Sequence, residues 1–250
     1  MCGRYAASTH PDRLIEIFEV DEVRDQEAPV GADGLAQWSR PRWNIAPTDS
    51  VPSVLERASQ DGDVRLLTGL RWGLVPSWST SASQAARLIN ARLETVASKP
   101  SFRKALAARR CLLPADGYYE WQPRRAGSRS YKQPFYISPE SGLLVMAGLY
   151  EFWRDATSPS ADWLVTCAII TTAATDELGH VHDRMPVQVP RANWDAWLDP
   201  AMTDPSVARS LVEVPAPGGM LVRPVSTRVN SVANDGPDLI EAVELPPGGE

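Results

Sequence analysis

Apolar positions along the chain cluster into short runs of strand length. Such runs occupy residues 51–57, 64–75, 110–113, 118–122, 134–138, 143–152, 163–171, 185–189 and 220–225, and each predicts a β-strand. Helical spacing is confined to four brief segments. Thr9-His10-Pro11 followed by Leu14, Ile15, Ile17 and Phe18 reads as a capped short helix. Ser98-Lys99-Pro100-Ser101 opens a second through Phe102, Ala105 and Leu106, a third carries Trp194 and Trp197, and a fourth spans 204–211. Many short strands, few short helices and no strand–helix–strand rhythm predict an α+β fold of one domain with a mainly antiparallel sheet. Residues 21–42 are aperiodic and read as an acidic surface loop or insertion, and residues 231–250 as a disordered acidic tail.

Composition adds bounds. The 250 residues are 43% hydrophobic and 22% charged, which suits a globular protein with a sizeable core. No apolar run approaches the roughly 18–20 residues that cross a bilayer, and the first residues lack the apolar stretch of a signal peptide. A cytoplasmic protein that does not engage membranes is expected. The cysteines are Cys2, Cys111 and Cys167, an odd and sparse set that argues against a disulfide framework.

Net charge is −6, which at face value opposes a nucleic-acid partner. The average conceals segregation: residues 87–132 carry eleven basic side chains against three acidic ones, while residues 12–33 sum to −6 and the last twenty to −5. A local basic stripe is what a phosphate backbone senses. The same arginines could instead solvate a helix face. Arginine outnumbers lysine 22 to 3, which suits bidentate phosphate contacts and equally fits a coding bias.

Cys2 follows the initiator Met, so removal of Met1 would leave a 1,2-aminothiol. Its amine and thiol have reference pKa values of about 7.7–8.0 and about 8.5, within reach of nucleophilic forms near neutral pH. The amine can condense with an aldehyde to an imine, and the thiol can close on the imine carbon to give a thiazolidine. A rival reading exists. Class II glutamine amidotransferases also begin Met-Cys-Gly and use the cysteine as nucleophile, but here Arg4-Tyr5 follows instead of an apolar residue and a second Gly.

Four further segments carry candidate chemistry. Asn44-Ile45-Ala46-Pro47-Thr48 is a rigid loop with polar ends. In Asn90-Ala91-Arg92-Leu93-Glu94-Thr95 the alternation places Asn90, Arg92 and Glu94 on one face of a strand. Pro114–Trp121 sets Glu120 among aromatic residues, which would raise its pKa; it could equally be a surface ion-pair partner. His180-Val181-His182-Asp183-Arg184 concentrates two of three histidines beside an acid and a base, and His182 could be a proton carrier or a structural histidine. No third or fourth ligand accompanies them at metal spacing, so no metal is expected. Of the nine tryptophans, most should be core and one or two exposed for base stacking.

Met-Cys-Gly-Arg-Tyr, Trp-Asn-Ile-Ala-Pro-Thr, Trp-Gly-Leu-Val-Pro-Ser-Trp, Asn-Ala-Arg-Leu-Glu-Thr-Val, Lys-Pro-Ser-Phe-Arg, Arg-Cys-Leu-Leu-Pro-Ala-Asp-Gly-Tyr-Tyr-Glu-Trp and His-Asp-Arg-Met-Pro-Val stand in that order. Over residues 2–230 the chain thus resembles the SOS-response-associated peptidase (SRAP) family of abasic-site processing proteins. The resemblance implies one α+β domain with a barrel-like antiparallel core. It implies covalent capture of abasic sites in single-stranded DNA through a thiazolidine at Cys2, by a cofactor-free monomer. By the same resemblance the active-site residues are Cys2, Asn90, Glu120 and His182. Arg4, Pro47, Trp72, Arg92 and Arg184 are expected to meet DNA. The family name also implies a peptidase role, for which removal of Met1 is the natural cleavage.

Overall fold

The computed structural model describes residues 2–24, 36–60, 62–126, 129–158, 160, 162–216 and 218–245. Thirteen strands are described: β1 (Tyr5–Ala7), β2 (Glu22–Arg24), β3 (Arg42–Ile45), β4 (Ser50–Ser59), β5 (Gly62–Trp72), β6 (Asn90–Arg92), β7 (Arg110–Ala115), β8 (Gly117–Ala126), β9 (Arg129–Pro139), β10 (Leu144–Trp153), β11 (Leu164–Ala173), β12 (Arg184–Pro186) and β13 (Met220–Pro224). The larger sheet has the order β12-β11-β10-β7-β4-β5-β2, and a parallel pairing of β11 with β5 at Thr166↔Arg71 and Cys167↔Trp72 closes part of it into a ring. The expected mainly antiparallel core is therefore present, with a closed ring rather than a regular barrel. A second sheet, β13-β9-β8-β1-β3, stands beside it.

Alternation along the ring strands sorts side chains into two cores. Leu55, Leu66, Cys111, Leu113, Met146, Cys167 and Ile169 share one hydrophobic cluster with Cys2, Tyr5 and Trp72. Their strand neighbours Val54, Leu67, Leu112, Ala147, Ala168 and Ile170 share another with Leu14, Phe18, Trp194 and Trp197 from helices. Both faces of these strands are buried, which is why they read as nearly continuous apolar runs. The helices at Pro11–Phe18 and Trp194–Leu198 supply that outer cover, and His10 caps the first by accepting from the Asp12 N–H.

The turn between β7 and β8 positions the site. Asp116 accepts the Ser8 N–H at 2.6 Å and donates its own N–H to Ala6 at 2.8 Å, fastening β1 to β8. Only glycine fits next to it: a Cβ on Gly117 would lie 2.6 Å from the Ile137 carbonyl oxygen.

Two sequence expectations need correction. The 21–42 segment is not wholly a surface loop. Glu22–Arg24 pairs parallel with β5, and Ala36 and Trp38 are buried in the core; residues 25–35 lie outside the described residues. Nor is 231–245 a disordered tail. The Asn44 amide donates to the carbonyls of Ser231 (3.0 Å) and Asn234 (2.7 Å), Asp235 accepts the Trp43 N–H at 2.6 Å and pairs with Arg42, and Leu239 is buried. A few anchored polar contacts and one apolar plug hold a segment whose composition lacks a core-forming pattern. Residues 246–250 lie outside the described residues. Among the described residues no helix is long and apolar enough to cross a membrane.

Candidate active site

Cys2 precedes β1 and is fully buried, packed in the inner core with Tyr5, Trp72, Tyr118 and Cys167. Burial pushes its thiol far above the ordinary range, and the negative charge of Glu120 adds to the effect. The thiol is therefore protonated at rest. Its carbonyl accepts a 2.8 Å hydrogen bond from Asn90 Nδ2. Asn90 reaches it because β6 runs parallel to β11, with Asn90 opposite Ile169. Asn90 Oδ1 is buried and accepts no hydrogen bond within the described protein.

Glu120 lies on β8, opposite Phe135 of β9, and is 2% exposed. Desolvation raises its pKa to about 7, against the opposing positive charge of the amino terminus. The carboxyl thus sits near half-protonation at neutral pH. His182 Nε2 is 3.8 Å from Glu120 Oε2. On the other side of the ring, Nδ1 accepts the Arg184 N–H at 3.1 Å, while an Asp183 carboxylate oxygen stands 2.8 Å away. These two partners favour opposite protonation states of Nδ1. With Nδ1 protonated toward the Asp183 carboxylate, Nε2 is left as the basic nitrogen on the side of Glu120. The same Asp183 contact supports the ring once it is charged. Burial and the positive amino terminus lower the His182 pKa, which keeps the ring neutral at pH 7.

Glu120 and His182 share with Arg4, Trp121, Lys132 and Asn230 the lining of an open cleft of about 380 Å³, within the size range of ligand sites. Arg4 Nη1 donates to Asn44 Oδ1 at 2.8 Å and to the Val229 carbonyl at 2.9 Å, and its guanidinium lies 5.8 Å over the Trp121 ring. The Trp121 indole N–H donates to Asn230 Oδ1 at 2.7 Å. Trp121, Lys132 and Asn230 were not singled out from the sequence. Trp121 directly follows Glu120 and Lys132 lies in the basic segment, so both carried a signal; Asn230 stood at the edge of a presumed tail and carried none.

The remaining sequence candidates separate. Arg92 is exposed at the end of β6, and Pro47 is half-buried in a turn whose next residue, Thr48, has φ of 79°. That left-handed backbone is held by Thr48 N–H to the Trp72 carbonyl at 2.8 Å. Trp72 itself cannot stack on a base. It is fully buried, edge-on to Tyr5 at 5.1 Å, and donates its indole N–H to Ile89 at 3.0 Å. Arg184 is 12% exposed and already engaged, donating to both Glu94 oxygens (2.7 and 3.0 Å) and to the Thr171 carbonyl (2.7 Å). Arg184 in turn holds the Glu94 pKa down to about 2. Asn90, Arg92 and Glu94 do not share one strand face: β6 ends at Arg92 and Glu94 lies in the following turn. Among the described residues no His/Cys/Asp/Glu cluster could hold a metal ion.

Arg4, Glu120 and His182, from three separated motifs, thus line one cleft, and comparison supplies the kinship. Residues 1–232 match the SOS response associated peptidase (SRAP) family. The chain belongs to that family. Among SRAP relatives, the abasic site processing protein YoqW of Bacillus subtilis is 38% identical over 97% of this chain and all of its own length. The abasic site processing protein HMCES of Gallus gallus is 34% identical over 98% of this chain and 79% of its own. A solved structure from Bacteroides thetaiotaomicron superposes with a TM-score of 0.75 at 22% identity, covering 97% of this chain and all of the other, and shares the fold. A phage-related protein of Bordetella bronchiseptica superposes at 0.61 with 30% identity over 90% of this SRAP chain and 94% of its own.

Proposed function

We propose that this SRAP protein processes abasic sites in single-stranded DNA by bonding the lesion covalently to Cys2. That relatives are named abasic site processing proteins supports the substrate. The observation that carries the chemistry is Cys2 held by Asn90 beside a carboxyl poised near pH 7 and a neutral imidazole. Met1 must first be removed, because only a free α-amine on Cys2 can form an imine and then close a five-membered ring with the thiol. Asn90 Oδ1, buried without a protein partner, suits an amine N–H.

The abasic sugar is mostly a closed hemiacetal and reacts as its C1′ aldehyde. Neutral His182 takes the proton of the C1′ hydroxyl as the C1′–O4′ bond breaks and returns it to O4′, and Asp183 supports the transient imidazolium. The Cys2 amine adds to C1′. Protonated Glu120 gives its proton to the departing hydroxyl, water leaves and an iminium forms. The carboxylate so produced takes the thiol proton, which burial would otherwise keep on sulfur, and sulfur bonds to C1′. The products are a thiazolidine and one water, with Glu120 again protonated. Ring closure protects the strand, since an aldehyde or imine at C1′ permits β-elimination. Lesion recognition needs no base contact: Arg4, Arg92 and Lys132 can meet phosphates and Trp121 a neighbouring base.

The test is a denaturing gel. Protein whose terminus is verified as Cys2 is mixed with a uracil-containing single strand pretreated with uracil glycosylase. A heat-stable slow band that undamaged DNA does not give is expected. Its absence would sink the proposal, and glutamine-dependent ammonia release in its place would favour amidotransferase chemistry.

A further inference from the structure

Beyond the active-site cleft lies a second concavity on the same hairpin. Pro123, Arg124, Arg125, Ser130, Tyr131 and Lys132 line an open groove of about 590 Å³. Lys132 lines both it and the cleft, so the two adjoin at that residue on the β8–β9 hairpin. Register places Pro123 opposite Lys132, Arg124 opposite Tyr131 and Arg125 opposite Ser130. At about 3.4 Å per strand residue, Arg125 stands about 17 Å along the hairpin from Glu120.

Charge on this groove differs from that elsewhere in the basic segment. Arg110 is buried and donates to five backbone carbonyls, and Arg109 pairs with Glu151. Those cations are engaged within the protein. Arg124 donates its Nε to Gln122 Oε1 at 2.7 Å and lies 5.9 Å over the Phe135 ring, and Arg124, Arg125 and Lys132 make no ion pair among the described residues. No acid is among the groove's lining residues. Three unneutralised cations beside a Pro and a Tyr ring suit a polyanion carrying flat apolar groups.

We propose that this hairpin groove binds the nucleotides flanking the lesion on one side, making the protein a reader of strand length and polarity around the abasic site. The proposal rests on the reading of the cleft as an abasic-site pocket. It goes further by assigning one arm of the strand to Arg124 and Arg125. Phosphates neutralised there contribute about 0.7 each to the slope of log affinity against log salt.

The test uses the full chain with Met1 removed. Capture rates are measured at limiting protein on an abasic residue flanked by one nucleotide each side, and on oligonucleotides extended by about six nucleotides on the 5′ or the 3′ side. One extension is expected to raise the rate roughly tenfold at 0.1 M salt and the other far less. Arg124→Ala/Arg125→Ala should bring the ratio of long to short substrate close to one and lower the salt slope by about 1.4. The exposed single variant Arg125→Glu should move both in the same direction without altering thermal stability. Equal gains from both arms, or a ratio unchanged in both variants, would overturn the proposal. Anisotropy titrations with undamaged single strands of both lengths separate the two readings. If no substrate is captured but the variants still lose the length-dependent part of binding, the covalent reading fails and the groove assignment stands.

Discussion

Asn90 Nδ2 donates to the Cys2 carbonyl at 2.8 Å, across 88 residues of chain. A strand of three residues, laid parallel to β11, is thereby used to fix the second residue of the polypeptide. Amino-terminal segments fray unless tied down, and here the tie lies next to the reacting atoms. Asn90→Ala should therefore slow adduct formation on the order of 10²-fold, the scale of misplacement by about an ångström. Thermal unfolding should change little, since one hydrogen bond contributes only about 1 kcal/mol. Single-turnover gels and a melting curve measure the two.

Glu120 links stability to pH in an unusual direction. Its folded pKa of about 7 lies above its ordinary value, so between about pH 4.5 and 7 the folded state binds the extra proton and stability falls as pH rises. Above pH 7 the penalty is complete, of order 3 kcal/mol. Glu120→Gln should melt higher than the parent at pH 8 and lose that advantage toward pH 4.5. Adduct formation by the parent should fall on the acid side as the amine protonates and on the alkaline side as Glu120 ionises. The variant should be slow throughout and lack the alkaline limb.

Trp121, rather than Trp72, should carry the contact with DNA bases. Trp72→Ala removes a fully buried side chain and should cost about 3–5 kcal/mol of stability. Trp121→Ala should leave the fold intact and weaken single-strand binding by about 1–3 kcal/mol, the loss of one stacked base. Melting curves and fluorescence anisotropy distinguish them.

The two motif arginines divide similarly. Arg92→Ala, at an exposed position, should lower the salt slope of DNA binding by about 0.7 without moving the melting temperature. Arg184→Ala strands Glu94 and the Thr171 carbonyl and should lower the melting temperature by several degrees, about 2–4 °C per kcal/mol.

The sequence was most legible where periodicity and burial agree. The long strands β4, β5, β10 and β11 follow their apolar runs because both faces are buried. Strands of three residues, such as β1 and β2, are too short to show a period. Cys2, Asn90, Glu120 and His182 were nameable from motif order, and their neighbourhood needed the fold. The parallel seating of β6 and the close approach of residues 229–235 to Asn44 are long-range pairings with no local signature. Trp72 misled because its motif marks a packed turn, and the basic segment was legible only in part, because Arg110 is consumed inside the protein while Arg92 and Arg125 stay exposed.

In thiazolidine formation both nucleophilic atoms of Cys2 end bonded to the sugar. Intact-mass measurement of the adduct formed without reductant tests this most directly. Protein beginning at Cys2 should give a species equal to protein plus abasic oligonucleotide less one water, unchanged in mass by borohydride. Cys2→Ala should give its own condensation product, variant plus oligonucleotide less one water, only as a transient that borohydride converts to a reduced, trapped form. A borohydride-resistant condensation product from Cys2→Ala, or none from a chain proven to begin at Cys2, would exclude thiazolidine capture at Cys2.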